Sequence, residues 1–175
     1  YSPIYSKLAA YVTVNGNGAA NSMRFAAHAT NADEATVWVD ARPLISLDNF
    51  TNASNVTING LAGDDVMTIV PNKADTNFDN LTVGAGGPAD ADRVVVEGAT
   101  NADTFSYTPS ATTDANGRIV FGTGADLVMI DFVGTESLAL AGLGGDDTAT
   151  FNTPLAGTAD SVIFNPAAAD HGQIR

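Results

Sequence analysis

The chain has 175 residues, of which 20 are Asp or Glu and 7 are Lys or Arg, so its formal net charge is -13 at neutral pH. This charge argues against binding to nucleic acid or to an anionic membrane surface, and no apolar run approaches the roughly 18 residues that insertion into a membrane requires. The absence of cysteine excludes disulfides, thiolate metal sites and cysteine nucleophiles, whereas a hydrophobic content of 45% suffices for a core.

The first ten residues are rich in apolar side chains but have no counterpart elsewhere in the chain. We expect residues 1–10 to form a cap, a linker or a strand donated to a neighbour. The chain opens at Tyr1, without a leading Met and without the charged and apolar regions of a signal peptide. This beginning is what a mature or excised segment of a longer array would show.

An internal duplication organises the rest of the chain. Residues 11–72 align without a gap on residues 93–154, with 13 identities in 62 positions. The segment from Gly60 to Asp65 matches the segment from Gly142 to Asp147 almost residue for residue. We therefore predict two copies, residues 11–92 and residues 93–175.

Within each copy, stretches of alternating apolar residues recur about every dozen residues and are separated by glycine-led turns that end in Asp or Asn. Val66 to Val70 and Thr104 to Tyr107 are examples in which every second side chain can face a core. The alanine-rich stretch from Ala19 to Ala29 aligns with one of these β-rich segments, so we predict a strand there as well. No segment has the periodicity and caps of a helix.

These features predict an all-β protein, and two architectures fit the strand spacing. One is a parallel β-solenoid, similar to a β-helix or β-roll, in which equivalent turns stack above one another. The other is a pair of tandem immunoglobulin-like β-sandwiches. We favour the solenoid because one type of turn recurs within a copy, whereas the turns of a sandwich differ in length and hand.

The glycine–aspartate turns are candidate calcium sites. Ca²⁺ takes six to eight oxygen ligands, and glycines allow the backbone carbonyls to turn inward beside an Asp carboxylate. The stretch from Gly60 to Thr68 resembles the nonapeptide of RTX, or hemolysin-type, calcium-binding β-rolls, although it lacks the second glycine. The candidate calcium ligands are Asp64, Asp65, Asp146, Asp147, Asp92, Asp103 and Asp126.

The same aspartates have a purely structural alternative. Asp and Asn side chains accept hydrogen bonds from nearby backbone amides and so hold turns together. Asn21 occupies in copy one the position that Asp103 occupies in copy two. Because Asn carries no charge, this exchange favours a turn-forming role at that position.

A second resemblance concerns the whole pattern. The segments from Glu136 to Thr148 and from Ala102 to Thr108 resemble units of the tandem β-repeat arrays in very large secreted bacterial surface proteins. The resemblance implies an adhesive or structural role on or outside the cell and implies no catalysis. It does not identify a ligand.

Catalytic patterns are weak. Adjacent aspartates at the start of a strand point to opposite faces, whereas glycoside hydrolysis needs two carboxyl groups that flank one bond. We therefore expect a secreted, non-catalytic stalk, sheath, filament or adhesin segment, with calcium as a candidate stabilising ion. Its expected partners are further copies end to end, other surface proteins or a polysaccharide. The alternative is a β-helix that binds or cleaves carbohydrate.

Overall fold

The computed structural model describes residues 4–7, 11–31, 33–51, 54–72, 80–87, 90–113, 115–123 and 126–152; for residues 4–7 and 126 it describes the backbone alone. These residues form fourteen strands and no helix, which confirms the all-β prediction. None of them belongs to a helix long and apolar enough to cross a membrane.

The strands follow one another with short connections. They are β1 (Ile4–Lys7), β2 (Tyr11–Asn15), β3 (Ser22–Ala27), β4 (Glu34–Val39), β5 (Ile45–Asp48), β6 (Asn55–Asn59), β7 (Val66–Val70), β8 (Asn80–Gly84), β9 (Arg93–Glu97), β10 (Thr104–Pro109), β11 (Gly117–Thr123), β12 (Asp126–Val133), β13 (Ser137–Ala141) and β14 (Thr148–Phe151). The alanine-rich stretch forms β3, as the alignment predicts.

The strands form two open, mixed sheets of seven strands each. Sheet A has the order β1-β5-β4-β3-β7-β9-β13, and sheet B has the order β14-β10-β11-β12-β8-β6-β2. Parallel neighbours dominate: β2, β6, β8 and β12 are stacked in parallel in sheet B, as are β3, β7, β9 and β13 in sheet A. The antiparallel pairs come from two meanders, β3-β4-β5 and β10-β11-β12.

The two copies occupy exchanged sheets. The run β1-β5-β4-β3-β7 in sheet A has its counterpart in β8-β12-β11-β10-β14 of sheet B, and the pair β2-β6 of sheet B has its counterpart in β9-β13 of sheet A. Each copy is thus a unit of seven strands that gives five strands to one sheet and two to the other. A half-turn about the stacking direction combined with a shift along it produces such an exchange.

Two parallel strand pairs, which we call the joint, connect the units. Strand β7 of the first unit pairs with β9 of the second in sheet A, and β6 pairs with β8 in sheet B. An ion pair between Arg24 on β3 and Glu97 on β9, at 2.8 Å, spans β7 and adds a side-chain link between the units. The two units therefore share both of their sheets.

The core follows from the alternation of side chains along each strand. Inward-facing residues of both sheets form one hydrophobic cluster, in which Val56, Ile58, Met67 and Ile69 have no exposed surface. The outward-facing residues between them are largely Thr, Asn and Ser. The periodicity read from the sequence is the one that this core requires.

The correspondence between the units holds at an offset of 82 residues except at one place. Met23 pairs with Val39 in the first unit and Phe105 with Phe121 in the second, which are equivalent positions. In the next pair of strands, however, Ala35 lies opposite Leu47, whereas its equivalent Gly117 lies opposite Phe132. Strand β12 is therefore shifted by three residues relative to the ungapped alignment.

Candidate functional site

Six connections pass from one sheet to the other, and we call these corners. Each corner ends in a residue with a carboxylate or a carboxamide, and a strand begins immediately after it. The residues in question are Asn21, Asp65, Asp92, Glu136, Asp103 and Asp147. Four of the corners lead from sheet B to sheet A and two lead from sheet A to sheet B.

The four residues on the first side of the molecule form what we call the acidic ladder: Asn21, Asp65, Asp92 and Glu136. The backbone N–H of Asn21 donates to Oδ1 of Asp65 at 2.7 Å, and the N–H of Asp65 donates to Oδ1 of Asp92 at 2.7 Å. The N–H of Asp92 donates to Oε2 of Glu136 at 2.9 Å. Each carboxylate therefore satisfies the backbone of the preceding corner in the stack.

The second side repeats one step of this ladder. The backbone N–H of Asp103 donates to Oδ1 of Asp147 at 2.9 Å, which is the equivalent of the bond from Asn21 to Asp65 in the first unit. Within a single corner, the N–H of Asn17 donates to Oδ1 of Asn21, and the N–H of Ala99 donates to Oδ2 of Asp103. The same arrangement of bonds thus occurs with either Asn or Asp at the corner.

The central carboxylates of the acidic ladder are fully enclosed. Asp65 and Asp92 have 0% of their surface exposed, and the Oδ2 atom of each has no hydrogen-bond partner among the described residues. Burial raises the pKa of Asp65 and of Asp92; the backbone N–H that each accepts acts in the opposite direction, and neighbouring acids raise both further. The two groups are held where a negative charge is poorly solvated.

Glycine is required where these carboxylates pack. A Cβ added to Gly60 would lie 2.0 Å from Oδ2 of Asp65 and 2.5 Å from the carbonyl oxygen of Ala85. A Cβ added to Gly86 would lie 2.7 Å from Oδ2 of Asp92 and would meet a backbone carbonyl on its other side. The glycines at the head of the corners therefore leave the space that the carboxylates fill.

Other predicted ligands face outward. Asp64 and Asp146 are exposed, in contrast to their neighbours in sequence, because adjacent residues point to opposite sides of the chain. Oδ1 of Asp64 accepts the N–H of Ala91 at 2.9 Å, while Oδ2 of Asp90 accepts the N–H of Gly63 at 3.1 Å. These reciprocal bonds tie two successive corners together.

The remaining predicted ligands are dispersed. Asp103 and Asp147 lie on the second side of the molecule, and Asp126 begins β12, with its side chain outside the described structure. Over the part of the chain that the structure describes, no three His, Asp or Glu side chains converge as ligands of one ion. The Oδ1 atoms of Asp65, Asp92 and Asp147 already accept backbone N–H groups. The side chains present do not by themselves fit a calcium site.

Sequence reasoning missed three residues of this system: Glu136, Asp90 and Asp40. Asp40 holds the end of the ladder, since its carboxylate accepts the Nδ2–H of Asn21 at 2.9 Å and the N–H of Ser22 at 2.8 Å. Glu136 aligns with Ser54 in the other copy, so the repeat gives no hint of its role. A usable signal was its position directly before a strand, which all ladder residues share.

A separate groove opens on the outer face of sheet B. It has a volume of about 710 Å³ and is lined by polar residues that include Thr82, Thr108 and Asn116. Arg118 and Asp131 form a two-pronged ion pair there, with N–O distances of 2.6 Å and 2.8 Å. The bond to Asp131 raises the pKa of Arg118, so this guanidinium stays charged.

No protein-family model, curated protein or solved structure matches this chain. Arguments about its role therefore depend on its own geometry and on the resemblances noted in its sequence.

Proposed function

We propose that this chain is a non-catalytic structural segment of a secreted or cell-surface protein, acting as part of a stalk, sheath, filament or adhesin. In this proposal the finer architecture is a parallel β-solenoid with two antiparallel meanders inserted in it. The tandem sandwich arrangement is the alternative architecture.

The observation that carries the proposal is the exchange of sheets between the two units. If each unit were an independent sandwich, its strands would pair within the unit. Instead, β6–β8 and β7–β9 continue the parallel stacking across the boundary. Strands in a sheet lie about 4.8 Å apart, so two sheets of this kind grow along one axis by roughly 34 Å for each seven-strand unit added to both. A protein that lengthens by repetition suits a mechanical role.

The corners support the same conclusion. A carboxylate that accepts an N–H from the next corner locks the spacing of the stack, and Asp65, Asp92 and Glu136 do so in succession. Buried polar groups with such defined partners favour one arrangement of neighbouring strands over a slipped one. We take the aspartates to be primarily structural.

Calcium enters the proposal as an ion attracted to the outward-facing carboxylates, above all Asp64 and Asp146. Water and backbone carbonyls would have to supply most of its ligands, since the described side chains do not. A ligand that binds only the folded chain stabilises it by about 2.7 kcal/mol at a concentration of 100 Kd. Melting curves with millimolar calcium and with chelator test this, and identical curves would remove calcium from the proposal while leaving the structural role intact.

The alternative function, a carbohydrate-binding or carbohydrate-cleaving β-helix, is favoured by one observation, the polar groove beside Arg118 and Asp131. Titration calorimetry with acidic and neutral oligosaccharides tests it. Binding that Arg118→Ala abolishes would support this alternative, whereas absence of heat with every sugar would count against it. The large exposed aromatic residues of the described chain, Tyr11 and Phe151, lie at opposite ends of sheet B rather than along this groove.

The shape of the molecule tests the structural proposal. Small-angle scattering should be recorded for this chain and for a tandem fusion of two copies of it. A rod is expected, in which the fusion is longer by a fixed increment of several tens of ångströms with an unchanged cross-section. A broad, bimodal distance distribution, as for two lobes on a string, would contradict it.

A further inference from the structure

We infer that strand β14 of one chain pairs in parallel with strand β2 of a second copy, in the register that joins the two units inside the chain. This inference rests on the proposed structural role and adds to it a defined contact surface and a defined partner. It follows from the equivalence of the two units.

Strands β14 and β2 form the two outer edges of sheet B among the described residues. At an offset of 82 residues, β14 is the counterpart of β7 and β2 is the counterpart of β9. Inside the chain those two counterparts form half of the joint, with Val66 opposite Arg93 and Thr68 opposite Val95. The open edges at the two ends of the molecule are thus a second pair of the surfaces that already fit together in its middle.

The backbone groups at these edges have the orientation that pairing requires. The N–H groups of Thr148 and Asn152 donate inward, to the carbonyl oxygens of Asp103 and Tyr107, each at 2.8 Å. Because successive residues of a strand direct their N–H groups to opposite sides, those of Ala149 and Phe151 face the open edge. An exposed edge of this kind is a template for another strand.

The opposite edge has the matching pattern. The N–H of Gly16 donates to the carbonyl oxygen of Asn59, so the N–H groups of Tyr11 and Thr13 point away from β6. In the joint, the N–H of Arg93, the counterpart of Tyr11, donates to the carbonyl oxygen of Asp65 at 2.8 Å. The equivalent bond between two chains would run from Tyr11 to Asp147.

The side chains at the two ends show what a neighbour would cover. Ile69 has no exposed surface, whereas its counterpart Phe151 is 40% exposed. Val12 and Val14 keep 7% and 8% exposure, whereas their counterparts Val94 and Val96 keep none. The apolar residues left open at the ends are those that the joint covers in the middle.

Two features of the internal joint are missing at the ends, so the contact between chains should be weaker. The ion pair of Arg24 with Glu97 has the uncharged counterparts Ser106 and Asn15. The net charge of -13 also repels a second copy, and this repulsion is screened by salt. We expect reversible, salt-favoured association of full-length chains rather than a permanent polymer.

Cysteine cross-linking tests the register, because the natural chain contains no cysteine. Full-length Thr13→Cys and Thr150→Cys chains are mixed under mild oxidation; both positions are exposed, and the inferred register places them opposite each other. Strands paired in register hold opposite Cα atoms about 4.8 Å apart, within the range of a disulfide. The control pairs Thr13→Cys with Thr148→Cys, displaced by two residues and roughly 8 Å apart, beyond that range.

The internal joint provides the reference. Thr68→Cys with Val95→Cys in one chain occupies the equivalent positions of β7 and β9 and should close an intramolecular disulfide. We expect the Thr13–Thr150 pair to form mixed dimers at least tenfold faster than the displaced control. No mixed dimer, or equal rates for the two pairs, would overturn the inference if the reference closes. Failure of the reference to close would refute the proposed architecture and, with it, this inference.

A blocking variant gives a second reading. Ala149→Pro removes an N–H that faces the open edge and breaks no hydrogen bond within the chain, and proline is tolerated at strand edges of this kind. It should reduce cross-linking of Thr13→Cys with Thr150→Cys at least tenfold, while the Thr68–Val95 disulfide still forms in the same background. Undiminished cross-linking would show that the strands do not pair through this edge and would overturn the inference.

Discussion

The backbone N–H of Asp65 donates to the carboxylate of Asp92 at 2.7 Å, although the two residues lie 27 positions apart in the chain. Asp65 in turn accepts the N–H of Asn21 with its own carboxylate. One residue thus serves as donor on one side and as acceptor on the other, and the result is a ladder of corners stacked at the spacing of the strands.

The glycines that make room for this ladder should be sensitive to a single added methyl group. Gly60→Ala forces a Cβ against Oδ2 of Asp65 and against the carbonyl of Ala85, so it should lower the free energy of unfolding by about 2–4 kcal/mol. Gly18→Ala is the control, since nothing lies within 4 Å of the added Cβ. Urea unfolding should show a change of less than about 0.5 kcal/mol for the control. Equal effects of the two substitutions would contradict this packing.

The acceptor function of Asp65 can be separated from its charge. Asp65→Ala leaves the N–H of Asn21 without a partner and should cost about 2–3 kcal/mol. Asp65→Asn keeps an oxygen acceptor and replaces the unpartnered Oδ2 with a donor, which has the carbonyl of Ala85 close by. The Asn variant should be at least as stable as the natural chain near pH 7. An Asn variant as unstable as the Ala variant would argue that the charge itself is required.

Stability should increase as the pH falls from neutrality. Burial raises the pKa of Asp65 and of Asp92 above the ordinary value of 3.8, so the folded chain holds these protons more tightly than the unfolded chain. This contribution is fully present below the unfolded value of 3.8 and is lost as the pH rises through the raised folded values. Melting curves between pH 7.5 and pH 5 should shift upward, and the shift should shrink in Asp65→Asn/Asp92→Asn. An identical shift in that double variant would assign the effect to other acids.

The joint should make equivalent core positions differ in their contribution. Ile69 is covered by the second unit and Phe151, its counterpart, is partly open. Ile69→Ala should cost about 2–5 kcal/mol, whereas Phe151→Ala should cost clearly less, although it removes the larger side chain. Chemical denaturation of dilute samples measures both. A larger loss at Phe151 would mean that β7 is not buried by β9.

Much of this architecture could be predicted from the sequence. The offset of 82 residues correctly pairs the corners, since the bond from Asn21 to Asp65 recurs from Asp103 to Asp147. The exchange of sheets could not be predicted, because a strand alternates inward and outward in the same way in either sheet. The shift of β12 also escaped, because its alternation fits the core at several registers. The acceptor role of Glu136 depends on stacking that no local motif encodes.

The contacts between β7 and β9 test the central claim, that one body with two shared sheets contains both copies. Nuclear Overhauser measurements on the labelled full-length chain should show contacts from the Hα of Val66 and Thr68 to the backbone amides of Val94 and Val96, as parallel pairing in this register requires. Each of these contacts joins the first copy to the second. A spectrum in which β7 and β9 contact only strands of their own copies would contradict the account.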